Sequence, residues 1–407
     1  MEIRKLTKEE IIQHDGICQM VFFGNNRDIT TALKNPAAYE DDDAKTIRIG
    51  AVDGAGIVQS ALIIEAYDMR LNGKTVKMGG IGGVTTRPES RGRGLVKQLM
   101  IEAYKIMKKE DIPFSFLYPF DYDYYRYFGY ELCMSYHKFD IPLDLFSKYS
   151  YPKNIKAYQV GDDFSDIKHI YHDFTKDKNL AIVRDDAAWY LLLKRDAYKD
   201  YQFSYVIYNT ENHPHAYILY NMEKGTHHWE KHIKVKECAW VDVIGFHDLA
   251  GFLSKLTTEF TNIKIEMPAN MNMHAMFSDP YRINKSENSG GMGRLNNVRA
   301  CLSGLNVPMG FGSVTIAVTD AFLTENSGVY AVEWQDGVLH VHHDCIMAEN
   351  AVTACDMVLD VHALTQLVVG YLSIDEIMYQ KNVCINQNHA LLNQLFPKKI
   401  QFLTEKF

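Results

Sequence analysis

Leu95, Leu99, Ala103, Ile106 and Met107 recur at helical spacing, and Lys97, Glu102, Lys105, Lys108 and Lys109 fall on the opposite side. Such a stripe predicts an amphipathic helix with one face against a core. Upstream the pattern changes to that of strands. Runs rich in Ile, Val and Thr cover Thr46–Val52, Ile57–Arg70 and Thr75–Thr86, separated by the turn pairs Asp53-Gly54 and Asn72-Gly73. Thr7-Lys8-Glu9-Glu10 has a capping-box-like order, so an earlier helix is expected to start there. Beyond the amphipathic helix, Pro113–Tyr118 reads as a buried strand ended by Pro119, and Tyr136–Ile141 as a further strand.

The rhythm then repeats. Helices are expected at Asp163–Asp173, Ala187–Lys194 and Leu249–Phe260, and strands at Tyr201–Tyr208, His215–Glu223, Ile233–Val243 and Ile263–Met267. A polar Gly/Ser/Asn stretch, Asn284–Gly293, follows. After it come strands Ser313–Val318 and Val329–Trp334, a turn at Asp336-Gly337, a strand Val338–His342 and a helix Asp360–Val369. These shifts divide the chain into segments 1–150, 151–285 and 286–407. Helix and strand mixed in every segment place it in the α/β (α+β) class.

Composition narrows the function. A chain of 407 residues has room for roughly two to four domains. Lys+Arg total 43 against 51 Asp+Glu, a net charge of −8, which disfavours a nucleic-acid partner and suits a cationic substrate. Seven scattered cysteines, with no C-x-x-C pair, read as reduced thiols of a cytoplasmic protein rather than a disulfide framework. The charged start Met1-Glu-Ile-Arg-Lys lacks a signal core, and no run is long enough for a membrane span. His213/His215, His227/His228 and His340/His342/His343 complete no ligand set, so no metal is expected.

The chemistry is concentrated in two motifs. In Val84-Thr-Thr-Arg-Pro-Glu-Ser-Arg-Gly-Arg-Gly-Leu-Val-Lys97 a strand ends, a glycine-rich turn follows, and the amphipathic helix begins. Free N–H groups of a first helical turn, together with the helix dipole, make a phosphate seat. The order Arg91-x-x-Gly94-x-Val96 resembles the pyrophosphate loop of the GNAT acetyltransferases, with Val96 where that family has Gly or Ala. The second motif, Tyr125-Arg-Tyr-Phe-Gly-Tyr130, resembles the Tyr-x-x-Phe-Gly-aromatic pattern of the Eis (enhanced intracellular survival) family. The closing Leu391-Leu-Asn-Gln-Leu-Phe-Pro397 and the tail Gln401–Phe407 resemble the end of the same family. The resemblance covers essentially the whole chain. It implies two GNAT-like mixed-sheet lobes, the second without a cofactor site, and a C-terminal sterol-carrier-protein-like α+β domain.

The resemblance also implies roles. Acetyl-CoA would be held by Val84, Thr85, Thr86, Arg91, Gly92, Arg93, Gly94, Leu95, Val96, Lys97, Phe120 and Asp121. Tyr125 would be the general acid, and the terminal carboxylate of Phe407 the base that takes the proton of an amine of pKa near ~10.4. A strand-edge N–H near Val84 would receive the developing oxyanion if the β-bulge usual in these domains occurs there. Phe22, Phe23, Asp123 and Glu405 are expected to line the amine pocket. The implied acceptors are aminoglycosides, polyamines or lysine-like amines, and the implied assembly is a hexamer. Two alternatives remain: a tandem-lobe transferase with another acyl donor or a peptide acceptor, and a non-catalytic CoA- or lipid-binding protein.

Overall fold

The computed structural model describes residues 1–22, 29–36, 46–227, 230–345 and 354–407. The first lobe opens with β1 (Glu2–Lys5), α1 (Lys8–Phe22) and α2 (Ile29–Lys34). At the start of α1 the Glu10 carboxylate accepts the Thr7 N–H at 2.8 Å and also holds Arg4, which fixes the end expected from the capping-box order. Strands β2 (Thr46–Val52), β3 (Val58–Leu71) and β4 (Lys74–Thr86) run antiparallel, with β1 on β2. Asn72 and Gly73, both at positive φ, make the tight turn between β3 and β4. Helix α3 (Leu95–Lys109) buries Leu95, Leu99, Ala103 and Met107 of the predicted stripe, leaves its Ile106 half-buried, buries Met100 and Tyr104 as well, and leads to β5 (Phe114–Leu117), parallel to β4. Next come α4 (Tyr122–Arg126), β6 (Glu131–Leu132) and β7 (Ser135–Pro142).

The second lobe repeats this order. Strands β8 (Asn154–Ala157), β9 (Gln202–Tyr208), β10 (Pro214–Lys224) and β11 (Lys231–Trp240) are antiparallel, and β12 (Asn262–Pro268) lies parallel to β11. Helices α5 (Ser165–Thr175) and α6 (Asp186–Leu193) precede β9, and α7 (Val243–Ser254) bridges β11 and β12. Helix α7 starts six residues before the expected Leu249, because the Asp242 side chain caps it by accepting from the N–H groups of Ile244 and Gly245. The expected strand Ile233–Val243 accordingly stops at Trp240.

The lobes exchange strands. β7 pairs with β12 in the second sheet, although its sequence lies in the first segment. The polar stretch Asn284–Gly293 is no spacer: β13 (Asn284–Ser289) pairs with β7, and β14 (Met292–Leu295) returns to the first sheet between β5 and β6. Polar side chains hid β13 because it is an exposed edge, where backbone pairing needs no apolar face. Two seven-stranded sheets result.

The third part is a five-stranded sheet of β15 (Phe311–Thr319), β16 (Gly328–Gln335), β17 (Val338–Asp344), β18 (Met357–Asp360) and β19 (Cys384–Ile385). Helices Val298–Ser303, Val361–Val368, Ile374–Ile377 and His389–Leu395 pack with it. One apolar cluster joins Phe114 and Phe116 of the first lobe, Leu180 and Ile182 of the second, and Val314, Leu364 and Phe396 of the third. None of the seven cysteines forms a disulfide. No helix of the described residues is long and apolar enough to cross a membrane.

Candidate active site

The glycine-rich turn is an open cradle. Gly92 (φ 75°) and Gly94 (φ 71°) are left-handed, and no atom lies within 4 Å of where a Cβ would stand on either. Gly94 is the N-cap of α3 and gives no side-chain cap, so donors of the first turn lack a side-chain partner. Arg91, Arg93 and Lys97 are exposed around the turn. Arg93 is steadied by the Glu89 carbonyl at 3.0 Å, and the Lys97 ammonium lies 5.3 Å from the Tyr127 ring centre. Leu95 is buried, so that residue can offer only its backbone, and Val96 is half-buried. A diphosphate fits this arrangement of donors, cations and free volume.

The expected bulge is present. On β3 Ala61 faces Thr85 and Ile63 faces Gly82, so Leu62 opposes both Gly83 and Val84. Gly83 (φ 54°) supplies the left-handed step. Its carbonyl is held by His14 Nε2 at 2.8 Å. In a planar trans peptide the next N–H points the other way, so the Val84 amide is directed away from His14. Burial pushes the His14 pKa down to about 4, leaving a neutral ring whose Nε2–H donates and whose Nδ1 lacks a partner. Pairing between β4 and β5 ends at Ile81 and Leu117, one residue before Gly82. Thr85 is buried, and its carbonyl accepts from Ser60 Oγ at 2.7 Å. Thr86 Oγ1 also meets Ser60 Oγ, at 2.8 Å.

The aromatic motif forms α4 and the turn after it. Asp121 caps α4 by accepting the Tyr124 N–H at 2.9 Å, which accounts for its carboxylate locally. Tyr125 is 3% exposed, and the Phe120 and Tyr124 rings meet it edge-on at 5.5 and 5.3 Å. Burial and the neighbouring phenols Tyr124 and Tyr130 hold its pKa well above 10, so the hydroxyl keeps its proton at neutral pH. Gly129 (φ 83°) has no room for a side chain, since a Cβ would fall 1.4 Å from Arg294 Nη1. Arg294 is completely buried, pairs with Asp320 at 2.6 Å and donates to the Phe128 carbonyl.

The chain terminus enters this first lobe. The Phe407 ring packs with Tyr67, Phe116 and Tyr118 at centroid distances of 5.6, 6.1 and 5.5 Å. A Cβ on Gly80 would meet that ring at 2.9 Å, and one on Gly82 would lie 2.7 Å from the terminal carboxyl carbon. The run Gly79-Gly80-Ile81-Gly82-Gly83, which fits no dinucleotide fingerprint, thus makes room for Met107 at Gly79, for Phe407 at Gly80 and Gly82, and for the bulge at Gly83. Tyr118 donates its hydroxyl to the Glu405 carbonyl at 2.8 Å.

Other expected residues are placed differently. The Glu405 carboxylate is bound by Arg184 Nε at 2.6 Å, so it anchors the tail rather than lining an open amine pocket. Asp123 is 90% exposed at its side chain and tied to Arg126 at 2.7 Å on the outside of α4. Phe22 stands half-exposed at the last turn of α1, and Phe23 lies outside the described residues, as does His228. Among the described residues no cluster of three or more His, Cys, Asp or Glu has metal-site geometry. Sequence reading missed His14, Gly82, Tyr118, Arg184 and Arg294. Only the glycine run carried a visible signal.

A bulged strand whose pairing with β5 stops at Ile81 and Leu117, an open glycine turn and an uncapped helix after it are the arrangement of a GNAT-class acyltransferase. Comparison with known families agrees: residues 2–133 and 180–295 each match an acetyltransferase (GNAT) domain, and residues 298–403 a sterol carrier protein domain. The chain belongs to the GNAT acyltransferases, with tandem lobes and a sterol-carrier-like domain as in Eis-like proteins. No curated protein matches the sequence. A probable N-acyltransferase from Enterococcus faecalis has a similar fold, with a TM-score of 0.83 at 18% identity over 98% of this chain and 97% of the other. A GCN5-related N-acetyltransferase from Anabaena variabilis aligns over 100% of both chains with the same TM-score and identity. Eis1 from Mycobacterium abscessus aligns over 100% of both at a TM-score of 0.76 and 16% identity.

Proposed function

We propose that the protein is an acetyl-CoA-dependent N-acetyltransferase acting on a primary amine of a cationic substrate. Acetyl-CoA would supply an acetyl group already activated as a thioester, its diphosphate seated on Gly92, Gly94 and the first turn of α3, with Arg91 and Arg93 beside it. The Phe407 carboxylate takes the proton of the attacking ammonium. The Val84 N–H donates to the oxygen on which negative charge develops. Tyr125, kept protonated by burial, gives its proton to the departing sulfur, and the second proton that the nitrogen loses as the adduct collapses restores the phenol.

The observation that carries this reading is the position of the terminal carboxyl carbon, packed on Gly82 beside the bulge. A carboxylate is acceptor-only, and a proton acceptor is what amine attack requires at neutral pH. The test is thiol release from acetyl-CoA with a panel of aminoglycosides, polyamines and lysine derivatives, run on the native chain and on one carrying a few residues after Phe407. The native chain is expected to turn over at least one amine. The extended chain should bind acetyl-CoA equally well and turn over none. Full activity in the extended chain removes the terminal base, and failure of the native chain to bind CoA removes the whole reading.

A further inference from the structure

We propose that Arg184 is a positioning residue, through which the second lobe holds the catalytic terminus in the first. This inference rests on the reading of Phe407 as base and adds to it the means by which that base is held.

Three observations support it. First, the guanidinium ties the tail to Glu237 of β11. Its Nε donates to Glu405 at 2.6 Å, its Nη2 to Thr404 Oγ1 at 2.9 Å, and its Nη1 to Glu237 Oε1 at 2.8 Å. Glu237 also accepts from Thr404 Oγ1 at 2.9 Å, so residue 404 is gripped from both sides. Second, the grip is rigid. Arg184 is 5% exposed at its side chain and packs against the mutually perpendicular Tyr171 and Trp189 rings at 4.3 and 4.7 Å. Burial raises the Glu237 pKa and the adjacent guanidinium more than offsets it, so the pair stays ionised. Third, Arg184 is itself pinned to the first lobe. The N–H groups of Leu180 and Val183 donate to the carbonyls of Arg70 and Asp68 at the far end of β3.

The location explains why a lobe that repeats the GNAT order has another use. On β11 an extra residue, Lys236, makes a bulge next to Glu237, the counterpart of the Gly83–Val84 bulge on β4. The helix that follows, α7, has its first donors filled by the anionic Asp242, so the seat that holds diphosphate in the first lobe is taken in the second. The bulge region instead carries Glu237, one jaw of the clamp. From Thr404 to Phe407 the chain can reach about 10 Å, short enough for a fixed residue 404 to restrict the carboxylate.

The experiment uses the full-length chain with two variants. Arg184→Leu/Glu237→Leu removes both buried charges together, and Glu405→Ala leaves the buried pair intact in case the double variant does not fold. Each is measured for acetyl-CoA affinity by calorimetry, for melting temperature, for kcat at saturating amine, and for release of phenylalanine by a carboxypeptidase. The expected result is unchanged acetyl-CoA affinity, phenylalanine release faster by about ten-fold, and kcat lower by about ten- to a hundred-fold. Wild-type kcat and an equally protected terminus in folded Glu405→Ala would overturn the proposal. If instead the native chain tolerates added residues after Phe407 without losing turnover, the terminal-base reading has failed, and that result is separable from this one.

Discussion

His14 is buried against the Gly83 carbonyl, at the bulge where the reactive centre is proposed, and its ring stays neutral. Its folded pKa is about 4 against an ordinary value of 6.5, so between those values the unfolded chain takes up a proton that the folded chain refuses. Stability from this residue is therefore complete above about pH 6.5 and is lost as pH falls toward 4, worth roughly 3 kcal/mol at ~1.4 kcal/mol per pH unit. Unfolding free energies from urea titrations should fall between pH 7.5 and pH 4.5 by about 2.5 kcal/mol more for the native chain than for His14→Gln, and parallel curves would refute it. Tyr125→Phe tests the acid. It should lower kcat by about a hundred-fold with little change in acetyl-CoA affinity or melting temperature. Gly82→Ala tests the base position, because the added methyl meets the carboxyl carbon at 2.7 Å. It should lower kcat by about ten-fold or more while acetyl-CoA still binds. At this scale the sequence shows Tyr125 and the glycines but not their reasons. Gly82 is explained by a residue 325 positions later, and Gly129 by Arg294, and no local pattern connects either pair.

At the scale of elements, α3 and α7 are the same helix in two lobes with opposite N-terminal chemistry. α3 begins at a left-handed glycine with no side-chain cap, and α7 at a carboxylate that takes two of its donors. Gly94→Asp should convert the first into the second. Aspartate tolerates the left-handed conformation better than most residues, so the charge is the main change. Acetyl-CoA affinity is expected to fall by more than ten-fold, and by clearly less in Gly94→Asn, with the gap between the two narrowing at high salt. Equal losses in both would assign the effect to backbone shape. The stripe on α3 was readable because an amphipathic helix repeats its signal over four turns. The start of α7 was not, because its capping aspartate follows a strand with no polar break, and the edge strand β13 was not, because its burial pattern is almost wholly exposed.

At the scale of the molecule, the three parts are bound by crossings distant in sequence: β7 in the second sheet, β14 in the first, the tail across both lobes, and one shared apolar cluster. Arg294 and Asp320 condense this into a single pair. Arg294 lies on β14, Asp320 follows β15, and the guanidinium supports the Phe128–Gly129 turn that follows α4 and donates through the Phe128 N–H to the Tyr125 carbonyl. Removing one partner of a fully buried ion pair leaves an uncompensated charge, so Arg294→Met should destabilise the protein by about 3–5 kcal/mol. Replacing both, as Arg294→Met/Asp320→Asn, should recover much of that loss, because no unpaired charge is left and the amide oxygen still accepts from the Phe322 and Leu323 N–H groups. Activity should not recover in step, because neither replacement donates to the Phe128 carbonyl. Denaturant midpoints and kcat measured on the same preparations check both halves. If kcat returns together with stability in the double variant, the pair serves the fold alone and the turn after α4 holds its shape without it.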